Sequence, residues 1–195
     1  MKTNFIFWVA LLAAFFSGCF GSPAMFKSGG ESEVFDEASL KKISRICLIP
    51  VYVSPYSEIR NVDTHPITDS LWREIDSHKL FLLVPMDTVQ MEARQISGDD
   101  SLFMMQLAQK LSADAYIKAA IVYSHPPGLA KTNSAALMLA IVDSHSDKSV
   151  VYSSFDTGTG KNYFLQAPSI KQVTADAIIG ATQALSKVIT KSRQQ

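Results

Sequence analysis

Apolar and polar positions fall into blocks along the chain, and the blocks predict its elements. Arg45 to Val53 (RICLIPVYV) is a nearly continuous apolar, β-branched run, the pattern of a strand buried on both faces. After a polar stretch from Ser54 to His65, Ile67, Leu71 and Ile75 recur every fourth residue with Trp72 beside them. This spacing predicts a helix that ends at His78-Lys79. Leu80 to Pro85 (LFLLVP) predicts a second buried strand, and Asp87 to Gln95 a short helix. Past the Gly98-Asp99-Asp100 turn, Met104, Leu107, Ala108 and Leu111 have the spacing of a helix face.

The second half is richer in strands. Ala115 to Tyr123 predicts a third strand, closed by the turn residues His125-Pro126-Pro127-Gly128. Ser134 to Val142 and Ser149 to Phe155 are two more, joined by the polar connection Asp143 to Asp147. Gly158-Thr159-Gly160 breaks the last of them. Ser169-Ile170-Lys171-Gln172 has the spacing of a capping box. The helix it opens carries Ile170, Val173, Ala177, Ala181, Leu185 and Val188 on one face, and Lys187, Lys191 and Arg193 near the negative end of its dipole. The order is β-α-β-(α)-α-β-β-β-α. Helical crossovers make the first three strands parallel, and short loops make the last two antiparallel. The expected fold is α/β (α+β mixed), a five-stranded mixed sheet covered by helices. No internal repeat is visible.

The N-terminus has a different character. Lys2 precedes an apolar run from Phe5 to Phe16, about a dozen residues where a spanning helix needs ~20. Charge, short apolar run and the small residues Ser17 and Gly18 form the pattern of a secretory signal over residues 1–18. The string Phe16-Ser17-Gly18-Cys19 resembles the bacterial lipobox. The resemblance implies that Cys19 carries a diacylglycerol thioether and becomes the mature N-terminus. Phe20, not Asp, follows it, which implies sorting to the outer membrane, with the protein facing the periplasm. Residues 19–42 are rich in Gly, Ser and mixed charges and read as a flexible tether, with a weak helical pattern from Val34 to Lys42. Residues 43–195 form the single domain.

Composition narrows the classes of function. The 195 residues include 18 basic and 18 acidic side chains, a formal net charge of +0, with 47% hydrophobic and 18% charged residues. That balance excludes a disordered chain and argues against nucleic acid as a partner, because phosphate neutralisation needs a basic surplus. Loss of residues 1–18 removes Lys2 alone among the charges, so 18 basic residues become 17 and the net charge becomes −1. The lipid, not electrostatic attraction, is then the membrane anchor.

Several local strings, taken with the element order, resemble a group of bacterial envelope domains. The group includes the N-terminal domain of the translocation protein TolB, the curli-secretion channel lipoprotein and the lipoprotein activator of penicillin-binding proteins. Ile46-Cys47-Leu48-Ile49-Pro50 matches the strand that opens the domain, and Ala113-Asp114-Ala115-Tyr116-Ile117 the start of the third strand. Ile141 to Val150 matches the last hairpin, with Ser-Asp where the group has Thr-Gly. The resemblance runs from about Lys42 to the C-terminus. It implies a fold and a place in the cell envelope; the group's members bind different partners.

Candidate chemistry is sparse. Gly158-Thr159-Gly160-Lys161 lacks the first Gly and the final Ser or Thr of a P-loop, since Phe155 and Asn162 stand there. Ser39-Leu40-Lys41-Lys42 fits the Ser-x-x-Lys of penicillin-recognising enzymes without that family's companion motifs. Asp143, His145 and Asp147 alternate as metal ligands do, but Asp and Ser are also default turn residues. His65, His78, His125 and His145 show no paired ligand spacing, and Cys47 sits in an apolar strand where a thiol is inert. No cofactor is expected. Two loops remain as surfaces for a protein partner. Tyr56 and Arg60 follow the first strand, where α/β sheets form their sites and where Tyr and Arg make hot spots. Leu129 lies at the tip of the Pro126 to Lys131 connection.

These features predict a non-enzymatic lipoprotein that binds another envelope protein within a secretion, assembly or cell-wall machine. Two alternatives stay open: a structural homo-oligomer, and a hydrolase or metal-dependent enzyme around residues such as Asp143 and His145. Replacing the lipid site, Cys19→Ala, is expected to abolish incorporation of radioactive fatty acid; label that persists would remove Cys19 as the anchor.

Overall fold

The computed structural model describes residues 29–93, 101–124, 133–158 and 168–195. In chain order the elements are β1 (Gly29–Val34), α1 (Glu37–Lys42), β2 (Arg45–Leu48), β3 (Tyr52–Val53), α2 (His65–Ser77), β4 (Leu82–Leu83), α3 (Met86–Ala93), α4 (Ser101–Lys110), β5 (Ala115–Ser124), β6 (Ser134–Asp143), β7 (Ser149–Asp156) and α5 (Ile170–Arg193). The strands form one sheet in the order β1-β7-β6-β5-β2-β4, with β3 also beside β5. As the crossovers require, β2 is parallel to β4 and β5, and β3 is parallel to β5. β6 is antiparallel to both β5 and β7, and β1 is antiparallel to β7.

The class is the mixed α/β one expected, but the sheet has seven strands rather than five, and its element order differs. One extra strand arises because the Arg45 to Val53 run is interrupted. Ile49 still donates its N–H to Ile117 O at 3.0 Å. Pro50 has no N–H to offer, and Val51 N–H turns away to the Thr68 hydroxyl at 3.0 Å. The ladder resumes at Tyr52 as β3. The other is β1, in the segment read as tether. Its six residues, GGESEV, hold one large apolar side chain, so no periodicity announces them. They are held by an antiparallel ladder to β7 and by the Ser32 hydroxyl donating to Ser153 Oγ at 2.8 Å. The Leu80 to Pro85 run is also different from expectation: only Leu82–Leu83 pair, at the sheet edge, and Leu82 is 65% exposed.

Alternation along the central strands supplies two core faces. Ile46, Leu48, Ile117, Ile121, Leu137, Leu139 and Ile141 meet Leu71 and Ile75 of α2 and Val173, Ala177, Ala181, Leu185 and Ile189 of α5. On the other face Cys47, Ile49, Tyr116 and Val142 meet Val89 of α3 and Leu107 and Leu111 around α4. Each Leu or Ile removed from water contributes about 1.5–3 kcal/mol, so the first face dominates stability.

The long helix α5 is fixed at both ends. Ser169 caps it by accepting Gln172 N–H at 3.2 Å. At the other end Arg193 donates to Leu80 O (2.8 Å) and Ile43 O (3.1 Å) and stacks over Phe81 with its carbon 4.8 Å from the ring centre. Midway, Phe155 of β7 lies between Gly30 and Gly180, and a Cβ at Gly180 would overlap its ring. Ala is otherwise favoured over Gly in a helix by ~1 kcal/mol. Here overpacking reverses the sign: Gly180→Ala is expected to destabilise the fold by about 1–3 kcal/mol, read as a lower urea midpoint. A raised midpoint would show that Phe155 is free to swing aside.

Candidate functional site

The two ends of the sheet are built differently. At the end where β2 and β5 begin, polar side chains are engaged in closing the fold. The Asp114 carboxylate accepts from Ser44 N (2.8 Å), Ser44 Oγ (2.8 Å) and Arg45 N (2.9 Å). Partial burial pushes its pKa upward, but the N–H groups of Arg45 and Ser44, the Ser44 hydroxyl and the nearby His145 outweigh this and hold it below the usual carboxylate value. In the neighbouring turn one oxygen of Asp143 accepts from His145 N (2.9 Å), Ser146 N (2.8 Å) and Ser146 Oγ (2.9 Å). Partial burial again opposes, and the Ser146 and His145 donors again prevail, so Asp143 too is held low. Asp147, at φ 54°, accepts from the Tyr116 hydroxyl. Burial, and then this carboxylate, push the Tyr116 phenol well above its ordinary value.

The alternating Asp143, His145 and Asp147 thus form a self-closed turn. Among the described residues no group of three His, Cys, Asp or Glu side chains is placed to hold a metal. The other sequence-level strings have structural partners as well. The Ser39 hydroxyl donates to Asp36, the N-cap of α1, at 2.7 Å, and Leu40 behind it is fully buried. The Cys47 thiol is enclosed, and burial pushes its pKa up to about 12, which leaves little thiolate for chemistry. Gly158 closes a turn, its N–H donating to Asp156 at 2.8 Å; Thr159 to Lys161 lie outside the described residues.

At the opposite end, past the carboxyl ends of β2 and β3, the chain makes the turn that carries Tyr56. Ser54 N–H donates to Ile121 O and Glu58 N–H to Tyr123 O, both at 2.9 Å, so the turn continues the β5 ladder. The Ser57 side chain, 2% exposed, donates to Ile59 O at 2.6 Å and accepts Tyr123 N–H at 3.0 Å. Arg60 folds back, its Nη2 on Pro55 O (3.0 Å) and its Nε on Ser57 O (3.4 Å). Tyr56 stands on this braced turn with 88% of its surface exposed. The structure therefore brings Tyr56 and Arg60 together in unequal roles: Arg60 braces the turn that Tyr56 tops. Leu129, Cys19 and His125 lie outside the described residues.

Sequence reading missed the grooves beside this turn. One, of about 340 Å³, lies between the start of α2 and α3 and is lined by Pro50, Thr64, His65, Thr68 and Gln90 among others. His65 sits 3.4 Å from Asp69 and 3.2 Å from the Gln90 amide nitrogen. The i, i+4 spacing of His65 and Asp69 on α2 was the available signal. A second groove of about 400 Å³ separates α2 from α5 and is mostly apolar, with Val62, Pro66, Ile67, Ile170 and Ile178 in its walls.

No family model matches the chain, and no curated protein matches it in sequence. Solved structures share its fold. A PelC dodecamer from Paraburkholderia phytofirmans superposes with a TM-score of 0.50 at 11% identity, over 81% of this chain and 96% of that one. The LpoB C-terminal domain from Escherichia coli gives 0.46 at 11% identity, over 62% of this chain and 93% of its own. A lipoprotein from Neisseria meningitidis gives 0.45 at 14% identity, over 78% and 99%. At this level of identity the PelC superposition shows a shared fold.

If the turn is a display platform, its brace and its tip separate in experiment. Ser57→Ala is expected to destabilise the protein by about 1–3 kcal/mol, since Tyr123 N–H loses its buried partner. Tyr56→Ala is expected to change stability by less than about 0.5 kcal/mol, because its side chain is outside the core. Urea titration of both variants checks the contrast; an equal loss would make Tyr56 a structural residue.

Proposed function

We propose that this chain is an outer-membrane lipoprotein, held by a lipid on Cys19 and facing the periplasm. In this reading it works without catalysis, as a protein-binding accessory of an envelope secretion, assembly or cell-wall machine. The observation that carries the binding role is Tyr56, 88% exposed on a turn that Arg60 braces from within and Ser57 locks to β5. Such a side chain loses little freedom when it is buried by a partner, which is what makes aromatic anchors effective. The N-terminal order of Lys2, short apolar run and Ser17-Gly18-Cys19 supports the anchor. No helix among the described residues is long and apolar enough to cross a membrane.

Self-assembly is a second reading, which the fold likeness to PelC, solved as a dodecamer, supports. The binding role is tested in cells by a photo-crosslinking amino acid placed at Tyr56 and, separately, at Leu129. One reproducible adduct with another envelope protein is expected from Tyr56. Adducts from neither position would move the partner surface elsewhere.

A further inference from the structure

The sheet is covered unequally. Gly30, Ser153 and Phe155 point at α5: Ser153 Oγ donates to Ala181 O at 3.1 Å, and Phe155 packs on Gly180. The alternate residues therefore point to the opposite face. There α3 and α4 pack on β2 and the first residues of β5. Farther along that face, over β1, β7 and the first half of β6, the described helices that touch these strands, α5 and α1, bury their apolar side chains in the core on the opposite side. Ala136, Met138 and Tyr152, all half-buried, form its floor, Ala140 marks where the cluster under α3 and α4 begins, and Glu31 and Glu33 of β1 are its exposed acidic border. Lys118, on β5, is the cation at its far side.

The outer surface of α5 has the matching character. Ala175, Ile179 and Gln183 recur every fourth residue and are exposed, Ile179 by 43%. Exposed Lys171, Lys187 and Lys191 flank this stripe, and Asp176 is the one acid of the helix. A stripe without charge, bordered by lysines, faces out on one side of each molecule. A floor of small and apolar side chains, bordered by glutamates, faces out on the other.

We infer that these are the two halves of one interface between copies of this chain, α5 of one copy covering the open sheet face of the next. The small side chain of Ala136 leaves room for Ile179, and the lysines of α5 meet Glu31 and Glu33. Charge sets the pairing: two sheet faces would oppose glutamate to glutamate, and two α5 faces lysine to lysine. The contact is heterologous and propagates head to tail into a ring or a filament. The inference rests on the self-assembly reading above and adds the surfaces and their polarity.

The test uses the full chain in mild detergent, with mass measured by size-exclusion chromatography and light scattering. One variant reverses the sheet border (Glu31→Lys with Glu33→Lys), the other the helix (Lys187→Glu with Lys191→Glu). Each alone is expected to fall from the assembled mass to that of one copy, with unchanged circular dichroism. An equimolar mixture is expected to regain the wild-type mass, because each reversed surface then meets its complement. Variants that keep the assembled mass, or a mixture that stays monomeric, would overturn these surfaces while self-assembly stands. A monomeric wild type at micromolar concentration would overturn both.

Discussion

Asp114 is the interaction on which the arrangement depends. Its carboxylate takes three hydrogens from Ser44 and Arg45 at the start of β2, and its own N–H donates to Arg45 O at 2.9 Å. Its carbonyl accepts from Ser144 N (3.0 Å) and Ser144 Oγ (2.8 Å) in the turn between β6 and β7. One residue thereby joins three segments far apart in sequence. Parallel strands cannot be held by a tight turn and need their register set otherwise. With β2 pinned against β5, Ile46 and Leu48 face α2 and α5, while Cys47 and Ile49 face α3 and α4. A slip of one residue would exchange the two sets.

The same economy of polar groups runs through the rest of the molecule. Carboxylates and hydroxyls that resemble parts of active sites have structural partners: Ser39 and Asp143 are bonded within their own cap and turn, and Asp147 accepts from Tyr116 of β5. Arg60, whose residue type suggests a contact for a partner, holds two carbonyls of its own loop. Rigid loops result, and a rigid loop presents a side chain such as Tyr56 at low entropic cost.

Helix α5 answers to a different constraint, close approach. Glycines at 30 and 180 let Phe155 lie between β1 and the helix. That contact draws the β1-β7 edge under α5, and it leaves the sheet's reverse side to be covered by something else.

Much of the fold is legible in the chain because its signals are local. Strands β5, β6 and β7 and helices α2 and α5 follow from apolar period, turn residues and caps, and their boundaries agree with the structure within a residue or two. The Ala113-Asp114-Ala115 string marked the start of β5, and only the folded structure shows what its carboxylate holds. What periodicity missed lacks a local signal: β1 is a strand only because β7 offers it a ladder, and the β2/β3 break depends on Thr68 taking Val51 N–H from another element. The candidate site divides in the same way. Residue types at Tyr56 and Arg60 marked the turn, whereas only tertiary contacts determined which of the two reaches outward. The sequence by itself settled the type and extent of the elements with a local signal, β5, β6, β7, α2 and α5, since these depend on neighbours along the chain. The tertiary structure settled strand number, which polar groups are engaged and which face stays open, since these depend on residues brought together from different elements, 17 apart for Val51 and Thr68 and 121 apart for Ser32 and Ser153.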